Sequence, residues 1–261
     1  MSLLATKKLS KSFGENRAVN SVDFIVRQGE VLALIGSNGA GKTSLVNLVS
    51  GLLRPDSGTI MFEDKDVTRQ TSYERIKAGI ARSFQLVNLF DHLSCLDNVA
   101  LSIFSREGKT MDLATLASKE RAVWDEAHEV LRQFGLDRHQ ALLANGISHG
   151  ERKLLDVAVA YALKPKLLFL DEPTSGVSTR EKAPIMDIVS AIVRTGGITI
   201  VIIEHDMDIV FRYSERIVVM HQGTVLADGT PEEIRRNDAV TTTLIGAHPV
   251  DAAGSEVAGH A

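Results

Sequence analysis

"VLALIGSNGAGKTSLVNLVSG", Val31 to Gly51, changes character twice within one short stretch. Its first five residues are an apolar run of strand length with no polar break, the pattern of a buried strand. Gly36 to Thr43, "GSNGAGKT", then matches G-x-x-x-x-G-K-[ST], and Leu45, Leu48, Val49 and Leu52 recur at helical spacing until Pro55 and Gly58 interrupt it. Strand, glycine-rich loop and helix in that order are the setting in which this motif binds phosphate. The glycines let backbone amides curl toward an anion, and the helix N-terminus adds its partial positive charge. Lys42 reaches the terminal phosphates and the Thr43 hydroxyl suits magnesium. The candidate nucleotide-binding residues here are Gly36, Ser37, Asn38, Gly39, Ala40, Gly41, Lys42, Thr43 and Ser44.

Upstream, Val22, Phe24 and Val26 alternate, so "VDFIVRQGEVLALIG" reads as two short strands around Gln28-Gly29, a hairpin feeding the loop. Downstream the strand and helix rhythm returns: "KLLFLDE" as a strand, "REKAPIMDIVSAIVRTGG" as a helix closed by Gly196, "ITIVII" as a strand, a short helix from about Asp206, then "RIVVM". Alternation of this kind predicts an α/β fold with a parallel sheet covered on its faces. Between Leu86 and Ile147 the strand signals disappear. Ser94 and Asp97 make a capping-box pattern, and Val123, Ala127, Val130, Leu131 and Phe134 form one stripe ended by Gly135. This segment reads as a helical lobe inserted in the α/β core.

Ligands of open α/β sheets bind at the carboxyl ends of the strands. Asp171, at the end of "KLLFLDE", is placed to hold magnesium, and Glu172 to polarise a water beside the terminal phosphate. Gln85 in "ARSFQ" and His205 in "VIIEHD" each follow a candidate strand of the same sheet. "ISHGERK", Ile147 to Lys153, sets a serine, a histidine and a glutamate close together, but sequence neighbours make a poor triad because their side chains point in different directions.

Bulk properties exclude several functions. With 261 residues the chain can bury a full core, and a net charge of -4 offers no global basic field, so no nucleic-acid partner is expected. The single cysteine, Cys95, excludes an internal disulfide. No apolar run approaches the roughly 18 residues that span a bilayer, and the first residues do not form a secretory signal, so a cytosolic setting is expected. The small-residue text from 247 to 261 is expected to be disordered.

Taken together, the motifs resemble the ATP-binding subunits of ABC transporters. In family order stand the phosphate loop at Gly36 to Thr43, a glutamine loop at Gln85, a signature at "ISHGE", the Walker B strand through Glu172, the loop "SGVS" and a switch at His205. The resemblance runs from about Leu3 to Gly246 as one domain. It implies a P-loop, RecA-like core over about 1–85 and 163–246, a helical lobe over about 86–162, and an antiparallel β segment near the N-terminus. It further implies ATP and magnesium as ligands, with Thr43, Gln85 and Asp171 around the metal, and Glu172, His205 and Lys42 at the reaction. Phe13 in "KSFG" occupies the place of the family's adenine-stacking aromatic. "ISHGE" is similar to the family's LSGGQ signature, on a helix beginning near Glu151 and stopping before Pro165. In the family's head-to-tail pair, Ser148, His149 and Gly150 would close the nucleotide of a second ATPase subunit.

Two positions depart from the pattern: His149 replaces the usual first signature glycine, and Ser178 stands where aspartate or asparagine is commoner. "IIEHDMDIVFRYSERIVVMHQGTVLADGTPEEI" is similar to the ATPase subunits of branched-chain amino acid importers, while a histidine in the signature is also similar to urea and amide importers. The implied partners are transmembrane permease subunits, touched around Leu86 to Leu101, and indirectly a solute-binding protein, with the chain peripheral at the cytoplasmic face. A soluble ABC ATPase of translation or DNA repair would usually carry tandem cassettes or a long coiled coil, and this chain has neither; an exporter is the other alternative.

Overall fold

The computed structural model describes residues 1–83, 89–108 and 121–245. Two long strands open the chain, β1 (Ser2–Phe13) and β2 (Asn16–Arg27), followed by β3 (Val31–Ile35), α1 (Lys42–Ser50), β4 (Ser57–Phe62), β5 (Lys65–Asp66), α2 (Ser72–Ala78) and β6 (Ile80–Arg82). The next described elements are the helices α3 (Cys95–Arg106), α4 (Arg121–Gln133) and α5 (His149–Tyr161). The chain then alternates β7 (Leu167–Asp171), α6 (Thr179–Gly196), β8 (Thr199–Ile203), α7 (Met207–Tyr213) and β9 (Arg216–His221), and adds β10 (Thr224–Gly229) and α8 (Pro231–Arg235).

The strands form two sheets. One is four-stranded and antiparallel, in the order β2-β1-β4-β5; the other is six-stranded, in the order β10-β9-β3-β8-β7-β6, parallel except for the β9–β10 hairpin. Alternation across the parallel strands divides the core. Leu32, Leu34, Leu167, Phe169, Val201 and Ile203 join α1 and the antiparallel sheet, whereas Leu168, Leu170, Ile200 and Ile202 join α3, α4, α5 and α6. A parallel sheet covered on both faces is the outcome its uninterrupted apolar strands require.

The expected hairpin between β2 and β3 does not form. β2 pairs with β1 in the antiparallel sheet, and β3 pairs with β8 and β9 in the parallel one. Their burial explains the separation. β2 buries Val22, Phe24 and Val26 and exposes alternate residues, as a strand covered on one face does, while every residue of β3 is buried. The turn at Gln28-Gly29 therefore passes the chain from one sheet to the other. α6 also differs slightly from expectation, running through Gly196 and stopping at Gly197, whose φ of 63° supplies the left-handed cap. The Ser94–Asp97 capping box and the α4 stripe form as their spacing predicts.

One buried side chain fixes the helix behind the phosphate loop. Arg75 of α2 donates from Nη1 to Leu48 O and Val49 O at 2.5 and 2.7 Å, in the last turn of α1, and from Nη2 to Thr68 O at 3.0 Å. Burial pushes its guanidinium down to about 10.

Candidate functional site

β3 delivers the chain to the glycine loop, and α1 leaves it. Gly36 has φ 151° and Gly41 φ 100°; a Cβ at these positions would come within 2.3 Å of Met220 O and 2.1 Å of Ala18 O, so neither could carry a side chain. The turn between β9 and β10 braces the loop, with Gly223 N–H donating to Ala40 O at 3.0 Å. Ala40 is buried, while Ser37, Asn38 and Gly39 are exposed, as is Thr43 in the first turn of α1, with Ser44 half-buried. Lys42 Nζ donates to Gly36 O and Ser37 O at 2.7 and 3.1 Å. Burial holds its ammonium below the usual lysine range, opposed by the negative charges of Glu172 and Asp171.

That electrostatic link reflects the sheet register. Leu34 of β3 pairs with Ile203 of β8, and Ile203 pairs with Asp171 of β7, so the phosphate loop, His205 and Glu172 leave three adjacent strands at the same edge. Asp171 ends the fully buried β7, where the Arg82 guanidinium bonds its Oδ2 and also Asn47 of α1. Glu172 departs from the strand with φ 48°, a left-handed conformation rare for a residue with a side chain. Its Oε1 lies 3.6 Å from His205 Nδ1. Gln85 lies outside the described residues, as do Leu86 to Asn88 and the tail 247–261.

The oxygen donors fit magnesium. An exposed threonine hydroxyl, Thr43, and the Asp171 carboxylate, which also bonds Arg82, are hard oxygen donors that leave the rest of the shell to nucleotide phosphates and water.

The signature forms the start of α5, which begins two residues earlier than the expected Glu151. Ser148 is the N-cap: its Oγ accepts Glu151 N–H at 3.3 Å, and Glu151 Oε2 accepts Ser148 N–H at 2.7 Å. The imidazole of His149 lies on the loop that follows Glu172, with Nε2 donating to Ser175 O at 3.2 Å and filling the space over Gly176. Gly150 is buried beside Ile185. Ser178, the other departure, donates from N–H and Oγ to Glu181 Oε2 at 3.1 and 2.6 Å at the start of α6. Phe13 stands half-exposed at the tip of the β1–β2 hairpin, with Lys11 Nζ 5.7 Å from its ring centroid. The site thus gathers the phosphate loop, Asp171, Glu172 and His205 at one sheet edge, with Phe13 and the signature on other elements.

Three participants were not singled out from the sequence: Arg82, Lys153 and Glu204. Each is a charged residue on or beside an apolar run, and a charge there must find buried partners. Lys153 donates from Nζ to Glu172 O and Ser175 Oγ. Glu204 accepts from Thr174, His205 and Asp206.

Comparisons with known proteins give the family and the fold. The ABC transporter family model matches residues 19–175. The chain is 34% identical over 252 residues to the high-affinity branched-chain amino acid transport ATP-binding protein LivG of Salmonella typhimurium, a match covering 94% of this chain and 98% of that one. It is 31% identical over 250 residues to the corresponding protein BraF of Pseudomonas aeruginosa, again covering 94% and 98%. Among solved structures, a nucleotide-free ATP-binding cassette from an ABC transporter superposes with a TM-score of 0.83 at 31% identity, covering 94% of this chain and 100% of the other.

Proposed function

The chain belongs to the ABC transporter family, and from that premise we propose that it is the ATP-hydrolysing subunit of an importer whose solute is a branched-chain amino acid. The observation that carries the catalytic part is the arrival of Lys42, Asp171, Glu172 and His205 at one edge of the parallel sheet, on three adjacent strands. The solute is supported by the likeness to LivG and BraF over nearly the whole chain.

Residues 36 to 44 cradle the phosphates, and the Lys42 ammonium, released from Gly36 O and Ser37 O, balances their charge. Glu172 orients and deprotonates the attacking water, and His205, 3.6 Å away, contacts the terminal phosphate. Thr43 and Asp171 would hold magnesium, with Gln85 assigned by family resemblance, and the ion would supply charge neutralisation at the phosphate oxygens. Phe13 stacks on the adenine. Ser148 and the main-chain amides of His149 and Gly150 close the nucleotide of a second ATPase subunit in a head-to-tail pair, at the start of α5.

A groove of about 710 Å³ between α2 and α3, lined by Tyr73, Ile76, Phe90, Leu101 and Leu163, supports docking to transmembrane permease subunits. Phe90 is 61% exposed there and Tyr73 56%, an apolar surface that a partner would cover. No helix among the described residues is long and apolar enough to cross a membrane. The chain is placed at the cytoplasmic face through its permeases, with a solute-binding protein acting indirectly. His149 in the signature favours a second reading, an importer of urea or amides.

The test is hydrolysis and uptake by the complex assembled with its permeases. Removing a base of this kind lowers the rate by about 10²–10⁴, so Glu172→Gln should bind ATP and fail to turn it over. Wild-type turnover by Glu172→Gln would refute the base assignment. Uptake of labelled urea but not leucine would replace the proposed solute with the second one.

A further inference from the structure

Glu172 is held against its local preference. A residue before proline is ordinarily driven to extended backbone, and Glu172 precedes Pro173, yet its φ is 48°. Strain of this kind persists only where the surroundings over-determine it. Within the turn, Ser175 N–H donates to Glu172 O at 3.1 Å, and Glu172 N–H anchors to Ile203 O at 2.9 Å.

Two buried charges bond to the same turn. Lys153, 4% exposed on α5, donates from Nζ to Glu172 O at 3.3 Å and to Ser175 Oγ at 3.1 Å. Glu204, 1% exposed at the end of β8, accepts Thr174 N–H and Thr174 Oγ1–H through Oε1 at 3.2 and 2.6 Å. Through Oε2 it accepts His205 N–H at 3.1 Å and Asp206 N–H at 3.5 Å. Among the described residues the Lys153 ammonium forms no salt bridge, so its partners are the neutral oxygens of the turn. A buried charge must be hydrogen-bonded to be tolerated, and here the bonds all fall on the segment carrying Glu172. The polarity is consistent: the cation takes oxygens of Glu172 and Ser175, and the anion takes the N–H and hydroxyl of Thr174 between them.

We propose that Lys153 is a positioning residue for ATP hydrolysis. Through the main-chain carbonyl of Glu172 it keeps the carboxylate facing His205, with Glu204 as the opposing grip. Lys153 lies on the helix that Ser148 caps, so any shift of the signature helix is passed to the turn that carries the base. This rests on the reading of Glu172 as the base, and the two are separable.

The experiment measures kcat, KM for ATP and Tm of the assembled complex with Lys153→Met, Lys153→Arg, Lys153→Gln and Glu172→Gln subunits. A small misplacement of a reacting group lowers a rate by up to about 10²-fold. Lys153→Met should therefore lose about 10- to 100-fold in kcat while KM and Tm stay near wild type, and Lys153→Arg, which keeps a cationic donor, should recover most of it. Lys153→Gln, with a donor but no charge, should fall between them and decides the matter if the methionine variant does not fold. Wild-type kcat in Lys153→Met or Lys153→Gln beside an inactive Glu172→Gln would overturn the positioning role alone. Loss in Lys153→Met with a parallel fall in Tm and no rescue by arginine would reduce Lys153 to a packing residue. Activity in Glu172→Gln would instead remove the base reading itself.

Discussion

α1 and α5 both begin beside anion-binding motifs, and their first turns are finished in opposite ways. α1 follows Gly41, which has no side chain to cap it, and carries no acidic residue in its first turn. α5 follows Ser148 and brings Glu151 back onto its own N-terminus in a capping box. The first leaves its partial positive charge to a ligand and adds Lys42 to it; the second neutralises part of that charge with its own carboxylate. One helix start is therefore equipped to hold a polyanion by itself. The other is equipped to contribute a contact only when the phosphate is brought to it, as a partner subunit's site would do.

The largest effect should come from removing the charge at the first site. Lys42→Ala loses a charge-assisted phosphate contact, for which about 1.5–3 kcal/mol is usual, or about 10- to 150-fold in Kd. Turnover should fall further, because the same ammonium balances charge as the terminal phosphate leaves. Titration of the isolated subunit with a fluorescent ATP analogue measures the first part, and an unchanged Kd would erase the distinction between the helices.

The second site should respond in rate and not in affinity. Ser148→Arg fills the space intended for the partner's phosphate, so turnover by the assembled complex should fall by about 10²-fold, the usual loss of an oxyanion-type contact. Nucleotide affinity of the isolated subunit should stay at the wild-type value, which also shows that the variant folds despite losing a cap worth about 1 kcal/mol. Turnover at the wild-type rate would mean that α5 closes no nucleotide.

Legibility in the sequence follows the same division. The first site is local: β3, the loop and α1 are consecutive, so the strand, the loop and the helix could all be placed from spacing. The parallel strands were legible because burial on both faces leaves unbroken apolar runs. Pairing was not legible. "VDFIVRQGEVLALIG" holds two strands joined by a turn, and nothing in those residues says that the partners of β3 are β8 and β9, far along the chain. Likewise Arg82, Lys153 and Glu204 act through contacts with residues distant in sequence, and their signal was only that a charge sat where neighbours were apolar. α5 is buried almost all round, which is why Lys153 had no route to solvent and had to end on the turn after β7.

The smallest effect is expected at His149, the residue by which the second site departs from the family's glycine. Its Nε2 donates to a carbonyl, Ser175 O, so that nitrogen carries a proton in the neutral ring and the imidazole is already committed to its own chain. The ring covers Gly176, whose missing Cβ would stand 2.7 Å from Nε2, so the two residues fit as histidine over glycine. This is a packing contact between the signature and the loop after Glu172, and it directs the ring toward that loop. His149→Gly should then keep ATPase activity within about threefold of wild type, since a single partly exposed neutral hydrogen bond contributes about 0.5–1.5 kcal/mol and acts on stability. The contrary idea is an imidazolium that stabilises the partner's phosphate, which would tie activity to a charge on the ring. The pH profile of kcat separates them. Superimposable profiles for wild type and His149→Gly mean that α5 acts through Ser148 and main-chain amides, whereas a change in the shape of the profile, with a fall in rate as large as that of Glu172→Gln, would give the second helix start a charge of its own and remove its contrast with the first.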